Sequence, residues 1–232
     1  DKELEFVRGF VEEALEHIES VEAAVLEVER CPEDREKVND LFRPFHTIKG
    51  MAGFLNLRDI NCLTHEVETL LDQARKGQRP VTPGVIDVVF DVVDILKAQI
   101  NGIAQYLAAP NGRPVPQPPV AEMIGRLRAI VSGRLEPEAR PAGNARPGQP
   151  IGATLVGQGV VAPEVVDYAL ELQKQQPGAR TGELRIELGS ATPRQVSQAL
   201  RAQTASVADH SVRIETGKLD VLVDMVGELV IA

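Results

Sequence analysis

The sequence predicts a mainly α-helical protein. The expected parts are an up-down four-helix bundle with a fifth helix after it, a small duplicated α/β module, and one more helix at the C-terminal end. Three observations carry this. Apolar residues recur at three- and four-residue steps through four long stretches before residue 108, the period of a helix with one buried face. Residues 133–149 are dense in Gly, Pro and polar residues, the composition of a linker. Beyond them, two segments match each other at an offset of 30 residues, the mark of an internal repeat.

Residues 3–29 form the first helix, with Leu4, Val7, Val11, Leu15, Ile18, Val21, Val25 and Val28 on one stripe. Cys31-Pro32 ends it, because proline restricts the residue before it. A second helix, about 34–55, carries Leu41, Phe42, Phe45, Ile48, Met51, Phe54 and Leu55 as its core side. Pro44 lies inside it, which predicts a local bend or a later start. The third helix, about 58–76, uses Ile60, Leu63, Val67, Leu70 and Leu71 and stops at Gly77. Thr82-Pro83 is an N-cap and first-turn pair for a fourth, strongly apolar helix over about 83–107. Short connections make these four an up-down bundle. Residues 109–119 are a proline-rich connector, and 120–132 a short fifth helix.

In the repeat, Gly152, Gly159, Pro163, Val166, Ala169, Leu170 and Gln173 recur as Gly182, Gly189, Pro193, Val196, Ala199, Leu200 and Gln203. Each copy reads as a short apolar segment ending at Gly, then a helix opened by Ala-Pro or Thr-Pro. Residues 212–214 read as a brief strand. Lys218–Ala232 is a helix with Leu219, Leu222, Val223, Val226, Leu229 and Val230 on one stripe, which requires a partner.

Composition narrows the function classes. The chain has 232 residues, 43% hydrophobic and 25% charged, enough for a sizeable core. No apolar run approaches a membrane span, and the acidic start is unlike a signal peptide. Cys31 and Cys62 form no metal or redox motif and read as reduced thiols, so a cytoplasmic location is expected. Residues 1–40 hold 14 Asp+Glu against 5 Lys+Arg, and the remainder holds 20 against 20. The whole net charge of −9 therefore belongs to the first helix and its turn. That excess, with only 3% aromatics and no Trp, disfavours nucleic acid as a partner.

Chemistry concentrates in Phe42–Leu57, FRPFHTIKGMAGFLNL. His46, Lys49, Gly50 and Gly53 fall at i, i+3, i+4 and i+7, one face of a helix. An imidazole with a free lone pair, one turn from an ammonium and beside two residues without side chains, suits acceptance of a phosphoryl group. Lys49 would neutralise the phosphoryl oxygens. The two glycines leave room for a docking partner. The nitrogen that does not react needs an acceptor to fix the tautomer. On the third helix, THEVETLL places His65 and Glu68 on one face, with Glu68 expected to accept from the imidazole and His65 to support it. Glu66 points elsewhere. Zinc held by His46, His65 and Glu68 is disfavoured by the adjacent Lys49, and Cys62 has no activating motif for Cys–His catalysis. On the residues alone, phosphotransfer and a non-catalytic adaptor both stay open.

FRPFHTIKGMAGFLNL, THEVETLLDQARKG and the acidic FVEEALEHIESVEAAVLEVE together resemble the histidine phosphotransfer domain of chemotaxis histidine kinases of the CheA type. The resemblance covers residues 1–132. It implies that His46 is the phosphoacceptor, that Lys49 and Gly50 are its neighbours, and that His65 and Glu68 are its hydrogen-bonded support. It also implies phosphate received from ATP through a kinase catalytic domain and passed to an aspartate on a response regulator receiver domain. ATP and Mg would be used by that kinase domain, which is expected to be absent here, and no cofactor or metal by this chain. VRIETGKLDVLVDMVGELVIA looks like the start of the dimerisation domain of the same kinases, with residues 205–217 as connector and 218–232 as its first helix, implying a homodimer. Residues 150–204 are similar to the small repeats of type II secretion and pilus ATPases, some of which bind cyclic-di-GMP. Those binders favour a basic residue and Leu-Gly at each repeat start. Here the starts are Pro150-Ile151-Gly152 and Arg180-Thr181-Gly182, so protein docking is the plainer expectation.

Overall fold

The computed structural model describes residues 2–109, 119–140, 151–157, 160–166 and 191–209. The chain divides into two compact units between residues 141 and 142. The first contains α1 (Lys2–Arg30), α2 (Arg35–Phe54), α3 (Arg58–Arg75), α4 (Pro83–Ala108) and α5 (Val120–Val131). The second contains α6 (Ile151–Gly157), a helical turn at 163–166, and α7 (Pro193–Asp209).

In the first unit α1 packs on α2 and α4, α2 on α3, and α5 on the outside of α3. The core is the set of stripes read from the sequence. Ile18, Val21, Val25 and Val28 of α1 meet Leu41, Phe45 and Ile48 of α2, with Leu63, Val67 and Leu70 of α3 and a nearly continuous apolar surface on α4. Each such side chain contributes about 1.5–3 kcal/mol on burial. At the start of α1 the pattern fails. Leu4 is 48% exposed and Phe6 58%, while Phe10, off the expected stripe, is buried. Phe54, expected in the core, is 75% exposed. Both departures fall at helix ends, the start of α1 and the end of α2, where the two exposed rings meet each other edge to face.

Local chemistry sets the helix ends. Asp34 caps α2, its carboxylate accepting from the backbone N–H of Glu36 and Lys37. α2 then runs unbroken through Pro44, at the loss of one N–H to the Asp40 carbonyl. It stops at Asn56, whose φ is +56°. The Leu57 N–H reaches back to the Ala52 carbonyl and that of Asn56 to Gly53, closing the last turn. α3 then returns along α2. Gly77, at φ +71°, ends α3 in the same way.

Residues 133–140, expected to begin the linker, are instead held against the bundle. The Arg140 N–H donates to Asp87 on α4 at 2.7 Å, and its guanidinium pairs with Asp91 at 2.8 Å. Arg79 binds both the Ile130 carbonyl and Glu136. This strap runs so close over α4 that a Cβ on Gly84 would lie 1.9 Å from the Pro137 carbonyl oxygen. It explains why the first turns of α4 are buried all round and why Asp87 is only 2% exposed.

In the second unit α6 packs against α7, burying Leu155, Val161, Ala191, Val196 and Ala199. The helices open at Pro163 and Pro193 as the repeat predicts. The first apolar segment, 151–157, is helical and not extended, so the α/β character expected of the module is not found there; a run of seven apolar and small residues has no period that decides between the two. The equivalent segment 181–190, the strand read at 212–214 and the helix at 218–232 lie outside the described residues. Among the described residues no helix is long and apolar enough to cross a membrane.

Candidate functional site

The face read from α2 is open to solvent. The His46 side chain is 63% exposed, and its Nδ1 lies 2.6 Å from Glu68 Oε1 on α3. Glu68 is 10% exposed, and the Lys49 ammonium lies 2.6 Å from its other oxygen, Oε2, as an ion pair off the direction of a well-formed hydrogen bond. Burial pushes the Glu68 carboxyl up, but the Lys49 ammonium and the His46 ring against its two oxygens together outweigh it and hold the group below its ordinary value. Glu68 is therefore a carboxylate near neutral pH and only accepts. Nδ1 must then carry the hydrogen and donate, which in the neutral tautomer leaves the lone pair on Nε2.

Two further side chains hold the ring, and sequence reasoning missed their role. Phe42, one turn before His46, stacks against the imidazole with centroids 5.9 Å apart and planes 17° from parallel. Arg75 at the end of α3 lies over the Phe42 ring in turn, its guanidinium carbon 4.2 Å from the Phe42 centroid. The i, i+4 spacing of Phe42 and His46 was the available signal; Phe42 had been read only as core.

The remaining expected residues divide. Gly50 is exposed, and a Cβ there would meet nothing within 4 Å. Gly53 does not simply leave room for a partner: a Cβ on it would come within 3.1 Å of Asn61 Nδ2. Lys49, expected to face an incoming phosphoryl group, is docked on Glu68. His65, expected to support the histidine, is exposed, and among the described residues its ring makes no hydrogen bond to His46 or Glu68. Three residues from Glu68 it sits about 60° round the helix, and Lys49 takes the second oxygen instead. Glu66 does point elsewhere, to Arg128 on α5 at 2.7 Å. Cys62 is exposed, and so is Cys31.

Beside Gly50, α1 and α2 leave an open cleft of about 470 Å³ floored by Phe10, Met51 and Leu55 and edged by Glu5 and Glu13. Phe6 and Phe54 meet edge to face at its mouth, 6.1 Å apart. Among the described residues no group of three or more His, Cys, Asp or Glu is placed to hold a metal ion.

Residues 5–108 match the Hpt domain family, and residues 209–232 the homodimeric domain of signal-transducing histidine kinases. The chain is 36% identical over 132 residues to the sensor histidine kinase CheAY of Helicobacter pylori, covering 57% of this chain and 16% of that protein. It is 31% identical over 166 residues to the chemotaxis protein CheA of Treponema pallidum, 69% of this chain and 20% of that one. The chain thus spans about a fifth or less of these relatives. Among solved structures, the CheA phosphotransferase domain from Thermotoga maritima is 35% identical with a TM-score of 0.43, over 44% of this chain and 96% of that one. The phosphorylated P1 domain of CheA3 from R. sphaeroides, solved in complex with CheY6, is 19% identical with a TM-score of 0.47, over 56% of this chain and 98% of that one.

Proposed function

We propose that residues 5–108, which match the Hpt domain family, work as a histidine phosphotransfer domain akin to those of CheA-type kinases, and that His46 carries a phosphoryl group from ATP to a response regulator. The observation that supports it most is the division of labour on one ring. Nδ1 is engaged by a buried carboxylate at 2.6 Å, while the imidazole stays 63% exposed, so Nε2 is the nitrogen offered to solvent.

In the loading step the Nε2 lone pair attacks the γ-phosphorus of ATP held by a kinase catalytic domain. A P–N bond forms, the bond to the bridging β,γ oxygen breaks, and ADP leaves with that electron pair. The ring becomes cationic as it forms the bond, and Glu68 accepts from the Nδ1–H throughout, which stabilises that charge. Lys49 is close enough to swing from Glu68 towards the phosphoryl oxygens. In the unloading step an aspartate oxygen of a receiver domain attacks the phosphorus, the P–N bond breaks, and its electrons return to Nε2. Gly50 is open on this chain's own surface, so the lack of a side chain there serves a body that comes from outside. The apolar cleft beside it gives that body a place to land. Residues 209–232 would pair two copies of the longer kinase, working in the cytoplasm.

The test uses labelled ATP, a CheA-type catalytic core added in trans, and this chain with and without His46→Gln. Acid-labile, base-stable label on the unaltered chain alone is the expected result. No label on either, with a core that phosphorylates its own phosphotransfer domain and a cognate core also tried, would refute the assignment.

A further inference from the structure

The turn after α2 and the first turns of α3 bring together two residues outside the reacting set. Asn56, in the left-handed region, reverses the chain within three residues. Asn61, four residues into α3, then lies beside the last turns of α2 and donates from Nδ2 to the Lys49 carbonyl at 2.8 Å. Gly53 sits one turn beyond Lys49 on that side of α2. A Cβ on it would come 3.1 Å from the same Nδ2, closer than ordinary contact. The amide fills the space that a side chain at position 53 would occupy.

Lys49 is therefore held by α3 at two points. Its carbonyl accepts from Asn61, and its ammonium rests on Glu68, seven residues and two helical turns further along α3. Glu68 serves His46 at the same 2.6 Å. Both contacts at Glu68 depend on how far α2 has slid along α3: a slide of about 1 Å lengthens and bends them, and misplacement on that scale is enough to slow a reaction. The interdigitated apolar side chains between the helices fix their separation and resist sliding only collectively. A hydrogen bond from Asn61 to a main-chain atom is directional.

We propose that Asn61 is a positioning residue for phosphoryl transfer, setting the axial register of α2 against α3 through the Lys49 carbonyl, and that position 53 is glycine because Asn61 needs the room. The proposal rests on His46 being the phosphoacceptor and adds to it the residue that keeps Glu68 in reach of both its partners.

The test compares the full chain with Asn61→Ala, Gly53→Ala and the double variant, in two measurements. The first follows the ring-nitrogen NMR signals of His46, which need no kinase. Asn61→Ala and Gly53→Ala should both move them, and adding Gly53→Ala to Asn61→Ala should move them little further. The second is the rate of phosphate uptake from a trans-acting core. Asn61→Ala should slow it about three- to tenfold, the range expected of one hydrogen bond. Gly53→Ala should slow it by a similar factor without lowering the melting temperature, since alanine is the better helix former. The double variant should be no slower than Asn61→Ala alone, because the crowded amide is gone. Unmoved His46 signals with an unchanged rate in Asn61→Ala, or effects that multiply in the double variant, would overturn the proposal. If the unaltered chain takes no phosphate, the functional reading fails, and the NMR signals alone then decide whether Asn61 positions the ring.

Discussion

Glutamine at position 68 separates charge from shape at the centre of the site. The variant keeps an oxygen to accept from His46 Nδ1 and loses the charge that holds Lys49. In the native chain both contacts are 2.6 Å, and the carboxylate is 10% exposed. A hydrogen bond to a charged group contributes about 1.5–3 kcal/mol and one between neutral groups about half as much. Losing that difference, about 0.75–1.5 kcal/mol, as the imidazole takes on charge slows transfer about three- to tenfold. Release of Lys49 adds a loss of similar size. The expected total is about 10- to 100-fold, comparable with removing the outer partner of a metal-bound histidine. Stability should change far less. Lys49, 27% exposed, is rehydrated once released, and the desolvation of a carboxylate is no longer incurred. A shift within about 1 kcal/mol, or about 5 °C in melting temperature, follows. The assay is initial rate of phosphate uptake from a trans-acting core, with thermal melts on the same samples. Transfer at the native rate by Glu68→Gln would sink the reasoning, since Glu68 would then be a structural ion-pair partner and no more.

Three further outcomes follow from the geometry. Gly84→Ala should lower the melting temperature by about 6–15 °C, because the strap must lift and abandon Asp87, a loss of about 2–4 kcal/mol; Gly125→Ala, where a Cβ meets nothing within 4 Å, should not lower it, and equal effects from the two would contradict the strap. Asp34→Ala should cost about 1 kcal/mol through the lost cap on α2, whereas Asp40→Ala, which breaks only an exposed pair with Arg43, should stay within about 0.5 kcal/mol by urea unfolding. Glu68 has its folded pKa held below the ordinary value of 4.5, so its contribution to stability is fully present above that value and is lost as pH falls through the folded one. Stability measured from pH 7 downward should therefore show a loss below about pH 4.5 that is smaller in Glu68→Gln; identical acid limbs would contradict the shift.

Much of the first unit was legible because long helices repeat their signal. Stripes at three- and four-residue steps in α1 to α5 placed every helix to within a residue or two, and Thr82-Pro83 and Gly77 marked ends whose chemistry is local. The strap was not legible. Gly133 to Arg140 looks like linker by composition, and what holds it is a set of single contacts from distant residues, Arg79, Asp87 and Asp91, that no local period records. The same division runs through the site. His46, Lys49 and Gly50 share one helix face, and Glu68 announced itself by charge and position on the next helix. Asn61 and Arg75 did not, because their partners are a main-chain carbonyl and the face of a ring. His65 differs from Glu68 because closeness along one helix does not bring a side chain to the facing helix: it sits exposed, about 60° round α3.

The strap has a consequence for anything carried further along the chain. How often a tethered partner meets His46 depends on the effective concentration set by the span between the last fixed point on one body and the first on the next. Binding residues 133–140 to α4 moves that last fixed point from the end of α5 to Arg140. Whatever follows Arg140 therefore starts from a side of the bundle chosen by Asp87 and Asp91. Releasing the strap, by Gly84→Ala or by loss of the Arg140 contacts, would return that start to the end of α5 and change how often such a partner meets His46, with no change to the chemistry at the histidine.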